Sequence, residues 1–223
     1  MPAYGKTRLQ IINEVLPRMR EKTVATSSST VYATLVASVL NTIKTQIEQA
    51  WKWRALRDTY TVTASVGTTS YSLTSSGQFA RILDMWNATT FEKVGRGTTS
   101  DFNEKFFGVD SVKTGDVTMF NPVGLDANYD LQFDVWPSPS RSNALKVNVY
   151  MPQGDPEDAT VILTPNQVLI EGMVAYLMAE RGDDSGTQYQ AQQALYMDLL
   201  AGAIASEGGQ DESETAWSAD VPE

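Results

Sequence analysis

The chain has 223 residues, 42% of them hydrophobic, enough to bury a core in one good-sized domain or two small ones. It contains neither cysteine nor histidine, which removes disulfides, thiolate chemistry, zinc-thiolate sites and any Ser-His-Asp triad. A formal net charge of -10 opposes gripping a nucleic-acid backbone, yet suits a wall past which a polyanion must slide.

No stretch of about 20 apolar residues is present, so no membrane span is expected. The first residues, Met1-Pro2-Ala3-Tyr4-Gly5-Lys6, lack an apolar signal core, and synthesis in the cytosol is expected. No cofactor or metal is expected. The chemistry left open is that of a carboxylate-only site.

Residues 6 to 57 read as helical. From Lys6 to Arg20, Leu9, Ile12, Val15 (or Leu16) and Met19 share a face, and Pro17 predicts a kink or an early end. Ala25-Thr26-Ser27-Ser28-Ser29 suits a loop ending in an N-cap. A long helix follows, with the stripe Val31, Leu35, Val39, Ile43, Ile47, Trp51, widened by Val36 and Leu40. Lys44 and Glu48 are spaced to pair on its exposed side.

From about Thr59 to Leu163 the pattern changes to short alternating runs. Thr59–Thr63, Ser70–Leu73 (as a returning strand), Arg81–Trp86, Phe91–Val94, Val117–Phe120, Tyr129–Trp136 and Leu145–Tyr150 read as strands. Ser100 caps a predicted short helix through Phe107. Gly and Pro between the runs imply an antiparallel sheet, sandwich or small barrel.

Thr164-Pro165-Asn166-Gln167 is a helix start, with Thr164 as cap, Pro165 at the first position and Gln167 completing a capping box. Val168, Leu169, Met173, Tyr176 and Leu177 form its apolar face. Gly182–Gly186 stops it. A last helix, about Thr187 to Ser206, places Tyr189, Leu195, Tyr196, Leu199, Leu200 and Ile204 inward. Gly208 to Glu223 carries five acids and no base, and a flexible tail is expected there. The predicted fold class is therefore α+β. Residues 1–57 and 164–207 form a helical bundle, 58–163 an inserted β-rich region, and 208–223 an acidic tail.

Candidate functional residues are few. Trp51 and Trp53, with Lys52 and Arg54, could form an aromatic-basic patch that stacks on bases; otherwise Trp51 closes the bundle core and Trp53 packs where helix meets sheet. Asp84, Asp126, Asp130 and Asp134 offer carboxylates for a paired-acid site, but a strand pair two steps of two apart also describes a solvated face. Gly95-Arg96-Gly97 lacks a Walker pattern and reads as a flexible loop tip, with Arg96 and Lys93 available to an acidic partner. In the tail, Trp217 with Asp211, Glu212, Glu214 and Val221 has the make-up of an anchor that folds onto a partner.

The order of these motifs resembles the head-to-tail adaptor (connector) proteins of tailed bacteriophages, the family that includes tail tubular protein A. A long helix ends in Trp51-Lys52-Trp53-Arg54. Tyr60–Thr63, Thr69–Leu73 and Phe79–Leu83 follow. A strand ends in Trp136-Pro137-Ser138-Pro139, then come Leu145–Pro152 and the Thr164-Pro165 helix pair. The usual Leu-Pro after the Tyr-x-Leu strand is missing, since Thr74 follows Leu73. The resemblance implies a non-enzymatic virion protein at the neck. It would form a homo-oligomeric ring, typically twelvefold, that binds the portal protein and the next tail component, a nozzle or tail tube protein. Genomic DNA would pass through its channel without specific binding. It also suggests that terminal segments wedge into the portal. Two other readings stay open: another phage tail or capsid structural protein, and a carbohydrate-binding β module using Trp86 and Trp136.

Overall fold

The computed structural model describes residues 5–108, 113–182 and 186–217, with side chains described through Gly209. Two compact units form, one from the residues before Leu56 together with those after Pro152, the other from Leu56 to Pro152.

In the helical unit, α1 (Arg8–Arg18) starts at a capping box made by Thr7 and Gln10 and buries Ile11, Ile12, Val15 and Leu16. Pro17 lies in its last turn, where its ring ends rather than kinks the helix. The end is a Schellman motif: Arg20 N donates to Pro17 O (3.0 Å) and Glu21 N to Leu16 O (2.9 Å). Helix α2 (Val31–Ala50) is capped by Thr30 and buries Val36, Val39, Leu40, Ile43 and Ile47, with Ala33 and Ala37. Two members of the expected stripe, Val31 and Leu35, face solvent.

Helix α4 (Asn166–Glu180) is apolar on nearly every side and packs against α1, α2 and α5 (Thr187–Trp217), so it is the axis of this unit. The expected capping box at its start does not form. Pro165, which has no hydroxyl, holds the cap position, and no side chain caps the helix. Gln167 bonds instead to Glu171 (2.5 Å).

Charged groups knot these helices together. Glu171, 4% exposed, accepts from Arg18 of α1 (2.8 Å to each oxygen) and from Gln192 of α5 (2.7 Å). Lys44 and Glu48 are each 1% exposed and pair at 3.1 Å, which corrects the expectation of an exposed pair. The return segment after Pro152 covers them: Lys44 donates to Gln153 O, and Gln153 N donates to Glu48 at 3.2 Å. That segment also bonds to the start of α1, through Arg8 N to Thr160 O (3.0 Å) and Ile162 N to Lys6 O (3.0 Å). Residues 153–163 therefore belong with the helices and not with the expected β-rich insertion.

The second unit is one seven-stranded sheet, in the order β1-β9-β3-β4-β6-β7-β2. Its strands are β1 (Arg57–Ala64), β2 (Ser70–Ser72), β3 (Arg81–Asn87), β4 (Glu92–Arg96), β6 (Met119–Leu125), β7 (Leu131–Trp136) and β9 (Asn143–Tyr150). A two-residue pair, β5 (Thr114–Gly115) with β8 (Ser138–Pro139), stands apart. Alternation sends Leu131, Phe133 and Val135 of β7 and Leu145, Val147 and Val149 of β9 inward onto Met85, Val94 and Phe120. The sheet is mostly antiparallel. The exceptions are β4 and β6, joined through α3 (Thr99–Phe107) and paired in parallel, as a helical crossover allows. Thr98, not Ser100, caps α3, because Asp101 three residues on completes its capping box.

Two local expectations are corrected. The strand β2 does not return on β1 but pairs with β7, Tyr71 opposite Phe133. The turn between β1 and β2 is tied off by Tyr71, whose hydroxyl bonds to Ser65 and Thr68. Gly95-Arg96-Gly97 is no flexible tip: Gly95 and Arg96 pair with β6. A Cβ on Gly97 would lie 2.8 Å from Phe102 and 2.9 Å from Met119, so glycine is what lets α3 and β6 close over this strand.

Candidate assembly surface

Helix α5 spans 31 residues, about 46 Å at 1.5 Å per residue. Only Tyr196 is fully buried on it among the described side chains. Leu199, Leu200 and Ile204, expected inside, are half-covered, while Leu195 and Met197 are 43% and 54% exposed. Elsewhere in the helical unit Val31, Leu35 and Tyr176 are also exposed. These exposed apolar side chains are spread over α2, α4 and α5.

The inner side of α5 is fitted closely. A Cβ on Gly172 of α4 would sit 2.8 Å from both Ile43 of α2 and Tyr196 of α5, so three helices meet at that glycine. The outer side is open, because a Cβ on Gly202 meets nothing within 4 Å.

Near its far end α5 is held to the end of α2. The Trp51 ring lies 3.6 Å from where a Cβ of Gly208 would be, and Arg54 pairs with Glu207 at 3.9 Å. The helix then continues through Gly209 to Trp217, past the expected end at Ser206 and into the segment expected to be a flexible tail. Each glycine costs a helix roughly 1 kcal/mol against alanine. The anchored turn before them and the run Gln210–Trp217, free of glycine and proline, carry the helix across. Asp211, Glu212, Glu214 and Trp217 thus stand on helical backbone. Val221 lies outside the described residues.

The remaining candidates separate. Trp53 is 2% exposed and its indole N–H donates to Ile47 O at 2.7 Å, so it closes the interior of the helical unit. Lys93 and Arg96 are both exposed on β4, and neither lies in the unit that holds α5. Two of the candidate carboxylates accept hydrogen bonds from local backbone amides. Asp130 accepts from Ser75 N (2.9 Å) and Gly77 N (3.1 Å), and Asp126 from Asn128 N (2.8 Å) and Asp130 N (3.0 Å). Those amides hold the Asp126 carboxyl below its usual range. Trp136, a sugar platform in one reading of the sequence, is 7% exposed, with Lys105 4.2 Å and Lys113 4.9 Å from its ring centroid.

Among the described residues no helix is long and apolar enough to cross a membrane. These features amount to two units whose polar groups hold the fold, and a long helix left half-covered. The family model for the SU10 adaptor protein matches residues 6–222, and the chain belongs to that family. It is thus a phage adaptor, a structural component of the virion at the head-tail junction. No curated protein matches the chain.

Proposed function

We propose that copies of this chain stand side by side in a closed ring, twelvefold, joining the portal protein to the next tail component and framing the channel for genomic DNA. The ring has no catalytic role. The observation that carries this reading is α5, a helix of 31 residues with one fully buried side chain among those described, and with Leu195 and Met197 in the open. Leu195 and Met197 lie on opposite flanks of Tyr196, and neighbouring helical units cover both flanks; the contact is heterologous and closed by rotation.

The acidic end of α5, with Asp211, Glu212, Glu214 and Trp217, is the portal anchor, and Trp217 is its apolar plug. Lys93 and Arg96 on the sheet meet an acidic neighbour. The helical unit has nine basic and seventeen acidic residues. A ring multiplies that excess around the channel and keeps DNA from adhering.

Ending the chain after Gly208 tests the anchor. The shortened protein keeps the Trp51 and Arg54 contacts of α5 and is expected to fold. Its affinity for the portal, measured by surface plasmon resonance, is expected to fall at least tenfold. Unchanged affinity removes the anchor from the proposal.

A further inference from the structure

At the opposite end of α2 lies an open groove of about 650 Å³, lined by Leu16, Arg20, Glu21, Lys22, Tyr32 and the loop between α1 and α2. Its charge runs against that of the chain. Arg20 and Lys22 are exposed, and neither pairs with a carboxylate among the described residues. Glu21 is neutralised by Arg181 at 3.2 Å, and the same guanidinium stacks 4.8 Å over the Tyr32 ring. An anionic oxygen arriving in the groove would meet two free cations.

Arg20 adds an independent sign. It is the residue after the α1 cap, in the left-handed region with φ of 61°, where a Schellman motif ordinarily uses glycine. An arginine there costs stability that glycine would not. Its side chain stands at the rim of the groove.

We propose that this groove is a docking site for an acidic peptide segment of a partner protein. The chain's own acidic segment begins far from it. That segment leaves the unit beside Trp51, whereas Tyr32 sits nineteen residues earlier on the same helix, about 28 Å away. Charge complementarity selects the occupant. A long polyanion such as duplex DNA would meet the acidic remainder of the unit, whereas a short acidic segment ends within the groove. The site stands whether or not the chain forms a ring.

The test uses the full chain at low ionic strength, where such contacts are strongest. A fluorescein-labelled hexaglutamate peptide and a labelled 12-base-pair DNA duplex are titrated by fluorescence anisotropy. The peptide is expected to bind, to lose about tenfold or more in affinity on Arg20→Glu with Lys22→Glu, and to be unaffected by Lys146→Glu on the sheet. Arg20→Gly is expected to raise the melting temperature by about 2–4 °C while weakening peptide binding. That combination of opposite signs would not arise from damage to the fold. The proposal is overturned if the peptide does not bind, if the duplex binds as tightly as the peptide, or if the Arg20 and Lys22 variants bind the peptide as the parent does.

Discussion

Replacing Lys44 by methionine is expected to destabilise the chain by about 3–5 kcal/mol, because it removes the ammonium paired with a buried carboxylate. Lys44 and Glu48 are each 1% exposed, so water cannot take over from the missing ammonium. Burial already pushes the Glu48 carboxyl above its ordinary value, and Lys44 is the chief opposing influence. Without Lys44 the carboxyl rises further, and the native state binds a proton that the unfolded chain releases. Stability is then retained below the ordinary glutamate range and lost as pH rises through the raised value. Thermal melts followed by circular dichroism should therefore show a smaller defect at pH 5 than at pH 8. At pH 8 the loss should be on the order of 10 °C for a chain of this size. Changing both residues, Lys44→Met with Glu48→Leu, should recover much of it, since the buried carboxylate is removed together with its ammonium. An equal defect at both pH values would mean that the penalty lies in packing.

Gly202→Trp is expected to block self-assembly while leaving the melting temperature of the free chain within about 2 °C of the parent, as suits a surface site away from special backbone. Gly172→Val should do the reverse. At Gly172 a Cβ would lie 2.8 Å from Ile43 and from Tyr196, whereas at Gly202 it meets nothing within 4 Å. Overpacking a tight helix crossing costs roughly 1–3 kcal/mol, so Gly172→Val should melt several degrees early. An indole at position 202 stands out from the open side of α5, where the proposal seats a neighbouring copy. Size-exclusion chromatography with light scattering reads the assembly, and circular dichroism the fold. If Gly202→Trp assembles like the parent, the open side of α5 is not the contact between copies.

Local rules suffice for the element types and many of their positions. Alternation placed β7 and β9, and the capping residue Thr30 with the run after it placed α2. What it missed depends on residues distant in the chain. The spacing of Lys44 and Glu48 says that they pair, but burial comes from Gln153, more than 100 positions away. Tyr71 looks equally able to return on β1 or to join β7, because register is decided by which neighbours are available. The Gly95–Gly97 run reads as loose until Phe102 and Met119 are seen packed on it.

The candidate surface was legible in part for the same reason. Periodicity assigned Leu195, Leu199, Leu200 and Ile204 to apolar positions of α5. It could not say whether their cover comes from the same chain or another. The end of α5 was misjudged because composition weighs Gly208, Gly209 and the acids together, without the Trp51 and Arg54 contacts that hold the preceding turn. The basic groove had a signal in the sequence, the run Arg18-Met19-Arg20-Glu21-Lys22 just after Pro17. Only the Schellman geometry sets Arg20 apart from an ordinary helix end.

Position 197 offers the most direct test of whether a neighbour covers α5. The chain has no cysteine, so Met197→Cys introduces one thiol at a site that is 54% exposed in the single chain. Its reaction with a maleimide probe is followed in the free protein and in the protein assembled on the portal. The expected result is rapid labelling of the free chain and at least tenfold slower labelling in the assembly. Equal rates in both would contradict the placement of α5 between neighbouring copies.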